Sequence, residues 1–180
     1  MTAPRSGIWQ RVRGWGRRIL QLDDTPESIA RGVGLGIFIA MTPTVGIQMI
    51  IVTIVNTLAR ANRLAGILMV YISNPVTLVP IYWADYRIGC AITGTTPIGF
   101  QQFKGLFELQ SSGFFSKFLE FVTKAGALGW DMVGPLFLGG AVLGVVCGVP
   151  AYFVTLNLVR KEQIRRAQKL AKEPAESKVE

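Results

Sequence analysis

Three long stretches without a single charged side chain constrain this chain more than any other feature: Gly32 to Ala59, Leu64 to Ala84 and Met132 to Val159 contain no Asp, Glu, Lys or Arg. One helical crossing of a bilayer needs about 20 apolar residues, and each stretch is long enough. A soluble protein with three fully buried helices would need amphipathic helices to cover them, and too little sequence remains to supply that cover. The sequence therefore predicts an all-α integral membrane protein. Half of its residues are hydrophobic and 17% are charged, poorer in charge than a soluble domain. None of the runs reads as a cleaved signal: the first begins too far from the N-terminus, and the others are unlike an h-region.

The residues around the runs divide the chain into three parts. Over residues 1–24, Ile8, Val12, Trp15, Ile19 and Leu22 recur at helical spacing while Arg11, Arg13, Arg17 and Arg18 point elsewhere. This pattern predicts a basic amphipathic helix, lying in the headgroup region with Trp9 and Trp15 as anchors or packed on the protein's own surface. The membrane domain spans residues 25–160 and opens with a helix start, in which Thr25 caps, Pro26 takes the first helical position and Glu27 complements the helix dipole. Gly32, Gly34 and Gly36 then allow close helix approach, and Thr42-Pro43-Thr44 breaks the helix. The second run repeats the device at Asn74-Pro75 and Pro80. Each broken run is open to two readings, a kinked crossing or a re-entrant hairpin.

Arg60 and Arg63 form a basic turn that the positive-inside rule assigns to the cytoplasm. The first run would then enter and return, the second would cross outward and the third would cross back. A basic tail, residues 161–180, follows in the cytoplasm, with Pro174 to Glu180 expected to be disordered. The predicted location is the bacterial inner membrane, multi-pass, with both termini cytoplasmic. Between the last two crossings, residues 100–125 are rich in Phe, with Phe114, Phe118 and Phe121 on one helical face. That region is expected to be interfacial or to cover the bundle.

No enzyme site is expected. The chain has no His, and Cys90 and Cys147 stand in apolar surroundings as packing residues, so Cys/His metal sites and His-dependent catalysis are excluded. No cofactor or metal is implied. The net charge of +8 sits mostly at the two ends flanking apolar runs, which favours anionic lipid over nucleic acid. Inside the runs, Gln48, Asn56 and Asn74 are the polar groups most expensive to bury unpaired. They either bond neighbouring helices or meet a ligand. The candidate ligand site is Thr42, Pro43, Thr44, Gln48, Asn74 and Pro75, where helix ends could bind an anion, with Arg31 and Arg63 at its cytoplasmic mouth. Asp85 and Arg87, two residues apart, read as interfacial anchors or a local ion pair.

Thr25-Pro26-Glu27-Ser28-Ile29-Ala30, Gly32 to Phe38, Thr42-Pro43-Thr44, Gly46, Gln48, Ala61-Asn62-Arg63, Ser73-Asn74-Pro75-Val76-Thr77, Pro80 and Tyr82 together resemble the family of bacterial membrane proteins called domain of unknown function 2062. The ordered likeness covers about Thr25 to Gly89. The resemblance implies no established activity, although some relatives look fused to glycosyltransferase-like domains, a hint of envelope or lipid-linked sugar processes. Two functions are expected from the residues. One is a small transporter or binder of a phosphate-bearing lipid or other small anion at the broken helices. The other is a non-catalytic accessory or scaffold subunit of a larger membrane complex. The partners expected are membrane lipids, anionic ones above all, and further copies of the chain or that complex.

Overall fold

The computed structural model describes Ile19 and residues 22–44, 47–71, 75–105, 114–127 and 129–176. The basic amphipathic segment expected over residues 1–24 lies outside these, apart from Ile19 and residues 22–24. The described chain is all-helical: α1 (Pro26–Met41), α2 (Gln48–Leu58), α3 (Arg63–Val70), α4 (Pro75–Thr93), α5 (Phe100–Gly105), α6 (Phe114–Ala127) and α7 (Trp130–Glu176).

The start and stop of α1 follow the sequence rules. Thr25 stands in extended conformation and its hydroxyl accepts from the Ser28 N–H, with Pro26 and Glu27 in the first turn. At the other end Thr42 leaves the helical region, because the ring of Pro43 disfavours helical backbone in the residue before it. The first apolar run is thus two helices joined by a turn. The second run is also divided, between α3 and α4. Helix α4 does not stop where the apolar run stops; it passes through Pro80 and carries Asp85 and Arg87 onward to Thr93. The third run lies within α7, a helix of 47 residues, about 70 Å long at 1.5 Å per residue. It continues through the basic residues of the expected tail to Glu176, Pro174 included. Among the described residues, one helical stretch, Trp130–Gln168, is long and apolar enough to cross a bilayer. Only 39% of its most apolar part is buried against the rest of the chain.

Helix α7 is the spine, with α1 and α4 on two of its sides, both antiparallel to it. Glycine makes this possible. Against α1, a Cβ on Gly140 would lie 2.5 Å from the Met41 carbonyl oxygen and one on Gly148 2.8 Å from that of Gly34, while one on Gly144 would press on Phe38. Against α4, a Cβ on Gly139 would overlap the Asp85 carbonyl oxygen, and one on Gly89 would overlap that of Pro135. On the opposite face of α1, Gly36 meets Gly66 of α3, with a Cβ-to-carbonyl distance of 2.6 Å. The backbones therefore pack almost directly on one another, as small residues permit. Side-chain cores fill the remaining space: Ile19, Ile29, Val33, Ala65, Met69 and Val159 at one end, and Tyr82, Tyr86, Cys90, Phe103, Met132 and Leu136 at the other. Phe103, from the Phe-rich region, is fully buried and stacks on Tyr86 with ring centroids 5.4 Å apart.

A polar knot fixes the first of these ends. Asn62 caps α3 by accepting from the Ala65 N–H, 2.9 Å away. Its amide donates to Asp24 Oδ2 (2.9 Å), which also accepts from the Ser28 hydroxyl (2.7 Å). Arg160 pairs with Glu27, and Gln163 donates to the Asp24 carbonyl, 2.9 Å away, so the start of α7's basic extension is tied to the start of α1. Partial burial raises the Asp24 pKa, but hydrogen bonds from Asn62, Ser28 and Thr25, together with Arg31, outweigh it and hold the carboxyl below its ordinary value.

Two outcomes follow. Gly139→Ala and Gly89→Ala should each destabilise the fold by about 1–3 kcal/mol or more, since backbone must move to admit the methyl group. Gly99→Ala, with nothing within 4 Å of its Cβ position, should be neutral; thermal unfolding in detergent measures all three. Because the folded pKa of Asp24 lies below the unfolded one, its stabilisation is complete above the unfolded value of about 3.9 and is lost as pH falls through the folded value. The stability advantage of the wild type over Asp24→Ala should be full at neutral pH and shrink progressively below that unfolded value.

Candidate functional site

The break after α1 gathers polar groups from three helices. Outside the helix, the Thr42 carbonyl accepts from the Thr44 N–H at 2.8 Å, from Gln48 Nε2 at 3.2 Å and from the Tyr82 hydroxyl at 2.8 Å. Gln48 Nε2 also stands 2.6 Å from the Tyr82 oxygen. Thr42 turns its own hydroxyl back to the Ile39 carbonyl (2.7 Å), and Pro43 beside it is fully buried. Gln48 is 7% exposed and Tyr82 not at all. The Gln48 side chain therefore serves as a structural clasp at the break.

Thr42, Pro43, Thr44 and Gln48 stand together at the break, and α4 comes to them. The residue that delivers α4 is Tyr82, however, two turns beyond Pro75, which begins the helix. Asn74 lies outside the described residues. Arg31 and Arg63 stand at the other end of the bundle, Arg31 about 16 Å along α1 from Thr42 at helical rise. Arg31 Nη2 donates to the Arg60 carbonyl at 3.0 Å, and Arg60 holds the turn with φ of +50°. Asn56, also fully buried, donates to the Asn62 carbonyl at 3.2 Å. Both described amides thus bond backbone carbonyls at helix boundaries, although the Asn62 carbonyl also accepts from the Gly66 N–H at 3.2 Å as the first bond of α3.

Asp85 departs from the sequence reading. It forms no pair with Arg87, which is exposed and sits 5.9 Å from the centre of the Trp83 ring. Asp85 points inward with 0% exposure, and neither carboxyl oxygen has a hydrogen-bond partner among the described residues. Residues two apart on a helix face different ways, so the spacing that suggested a pair already argued against one.

A second feature is a groove of about 510 Å³ between α1 and α7. Gly34, Leu35 and Phe38 form one wall, and Gly144, Val145, Gly148, Val149, Tyr152 and Phe153 the other, with Arg31 at one end. Its size lies in the range of small-molecule sites.

Residues 10–168 match the bacterial family described as an uncharacterized protein conserved in bacteria, domain of unknown function 2062, and the chain belongs to that family. The match extends past the Thr25 to Gly89 stretch that carried the resemblance. No curated protein and no solved structure matches the chain.

The clasp predicts a specific non-additivity. Tyr82→Phe and Gln48→Leu should each destabilise by about 1–3 kcal/mol, since each leaves a buried polar group short of a partner. The double variant should lose clearly less than the sum, because the two share one interaction. Unfolding measurements on the three proteins decide it.

Proposed function

We propose that this chain is an integral membrane protein that binds a phospholipid in the groove between α1 and α7, with an acyl chain along the apolar walls and the phosphate at Arg31. The observation that carries this reading is the groove itself, apolar along its length, with Arg31 among its lining residues and the Arg31 guanidinium held beside it on the Arg60 carbonyl. An arginine presents a planar fork of donors suited to phosphate.

The surroundings support it. Large apolar side chains are more than half exposed along α2 (Ile50, Ile54) and α7 (Val145, Val146, Phe153, Val154), a surface that a bilayer would cover. Arg60, Arg63 and Lys161 lie exposed at the same end as Arg31. The positive-inside rule makes that end cytoplasmic, where anionic headgroups attract basic side chains. In this placement α1 and α2, of 16 and 11 residues, enter and return as a hairpin, since α2 at about 16 Å is too short to span about 30 Å of hydrocarbon. The proline break is a poorer anion site than the groove: the Thr42 carbonyl presents an acceptor there, and Asp85 lies one helical turn beyond Tyr82.

The test is native mass spectrometry of protein purified with its lipids. The wild type should retain phospholipid, Arg31→Gln should retain at least several-fold less, and Val145→Trp, which fills the groove, should retain little. Equal retention by all three sinks the reading, and co-purification of another polypeptide in place of lipid turns it toward an accessory subunit.

A further inference from the structure

The groove makes no use of Asp85, an ionisable group enclosed among helices. We propose that Asp85 is a proton-binding site inside the bundle, holding a proton while α4 is clasped to Thr42 through Tyr82, and that release of the proton loosens the clasp. This inference stands apart from lipid binding and does not require it.

The geometry supplies the argument. Asp85 has 0% exposure and no hydrogen-bond partner for either oxygen among the described residues. An ionised carboxylate buried in that way is strongly unfavourable, whereas the neutral acid is tolerated. The side chain cannot escape by a shift of its helix, because the Asp85 carbonyl is pressed onto Gly139 of α7. Gly139 lies nine residues into α7, about 14 Å from its start at helical rise. In a bilayer-spanning α7 that depth is within the hydrocarbon, where an ionisable group ordinarily marks function.

No opposite charge compensates it. On α4 its neighbours are Tyr82 and Tyr86, with Arg87 turned outward over Trp83. On α7 the nearest titratable groups are Asp131 and Cys147, each about two turns from Gly139. The last two turns of α1 and all of α2 carry none, and α5 brings only Lys104, which makes no ion pair with Asp85. When the carboxyl O–H breaks and its proton passes to water, the carboxylate needs a donor. Tyr82 stands one turn earlier on the same helical face, and its hydroxyl is the donor that ties α4 to Thr42. Ionisation of Asp85 therefore competes with the clasp that holds the turn between α1 and α2.

Infrared titration of the full-length protein in phospholipid nanodiscs tests this. The wild type should show the C=O stretch of a protonated carboxylic acid at a pH where surface carboxylates are ionised. The band should shift in D₂O and vanish as pH is raised. It should be absent in Asp85→Asn, retained in Asp131→Asn and retained in Arg31→Gln, which separates this site from the groove. No such band in the wild type, or its persistence in Asp85→Asn, overturns the proposal. Should Asp85→Asn not fold, the band must move in Asp85→Glu, and an unmoved band assigns it to another acid. Hydrogen exchange of residues 42–48, corrected for intrinsic rate, should quicken in the wild type as the band is lost and stay level in Asp85→Asn. Equal protection before and after the band is lost overturns the link to the clasp.

Discussion

Backbone contact along α7 is the constraint on which the rest depends. Glycines leave room for carbonyl groups of α1 on one side and of α4 on another, so both helices lie flush on the spine. Only then do the ends of α1 and the middle of α4 come within hydrogen-bonding reach, which places the Thr42 carbonyl against Tyr82. The same close approach leaves the groove running along the seam of α1 and α7 and sets the Asp85 carbonyl against Gly139. Clasp, groove and buried acid are three results of one packing mode.

Much of this was legible in the chain. The cap at Thr25, the proline after it and the break at Thr42-Pro43 are local events, decided by backbone sterics and nearby hydrogen bonds, and they occur where the residues place them. Gly34 and Gly36 announced close approach, and the structure gives each a different partner, α7 and α3. Long-range pairing was not legible. Nothing near Gly139 in sequence indicates that it faces Asp85, and nothing near Tyr82 points to Thr42. The division of the second apolar run was legible at Asn74-Pro75, where α4 begins, but the passage of that helix through Pro80 was not, since a proline marks a weak point without deciding whether tertiary packing carries the helix across it.

Asp85 shows how a boundary drawn by composition can mislead. The apolar run ends at Ala84, so the next charged residue looks like the edge of the buried zone. A helix has no such edge: α4 continues to Thr93, and its inward face continues with it through Tyr86, Gly89 and Cys90. Burial follows the helical face, and residue 85 falls on that face while 87 does not.

The glycines of α7 that meet α1, at 140, 144 and 148, recur every fourth residue. A row of equally spaced notches offers its partner a second seat after a slide of one notch, about 6 Å along the axis, so spacing alone gives adhesion without choosing a register. The choice falls to the contacts at the end of the row, where Val159 packs in a buried cluster with Ile29 and Val33, and Glu27 meets Arg160 and Asp24 meets Gln163. The apolar cluster and the polar pairs fit together in one alignment of carbonyls over glycines. Through that alignment they set whether Thr42, Tyr82 and Gln48 meet at all.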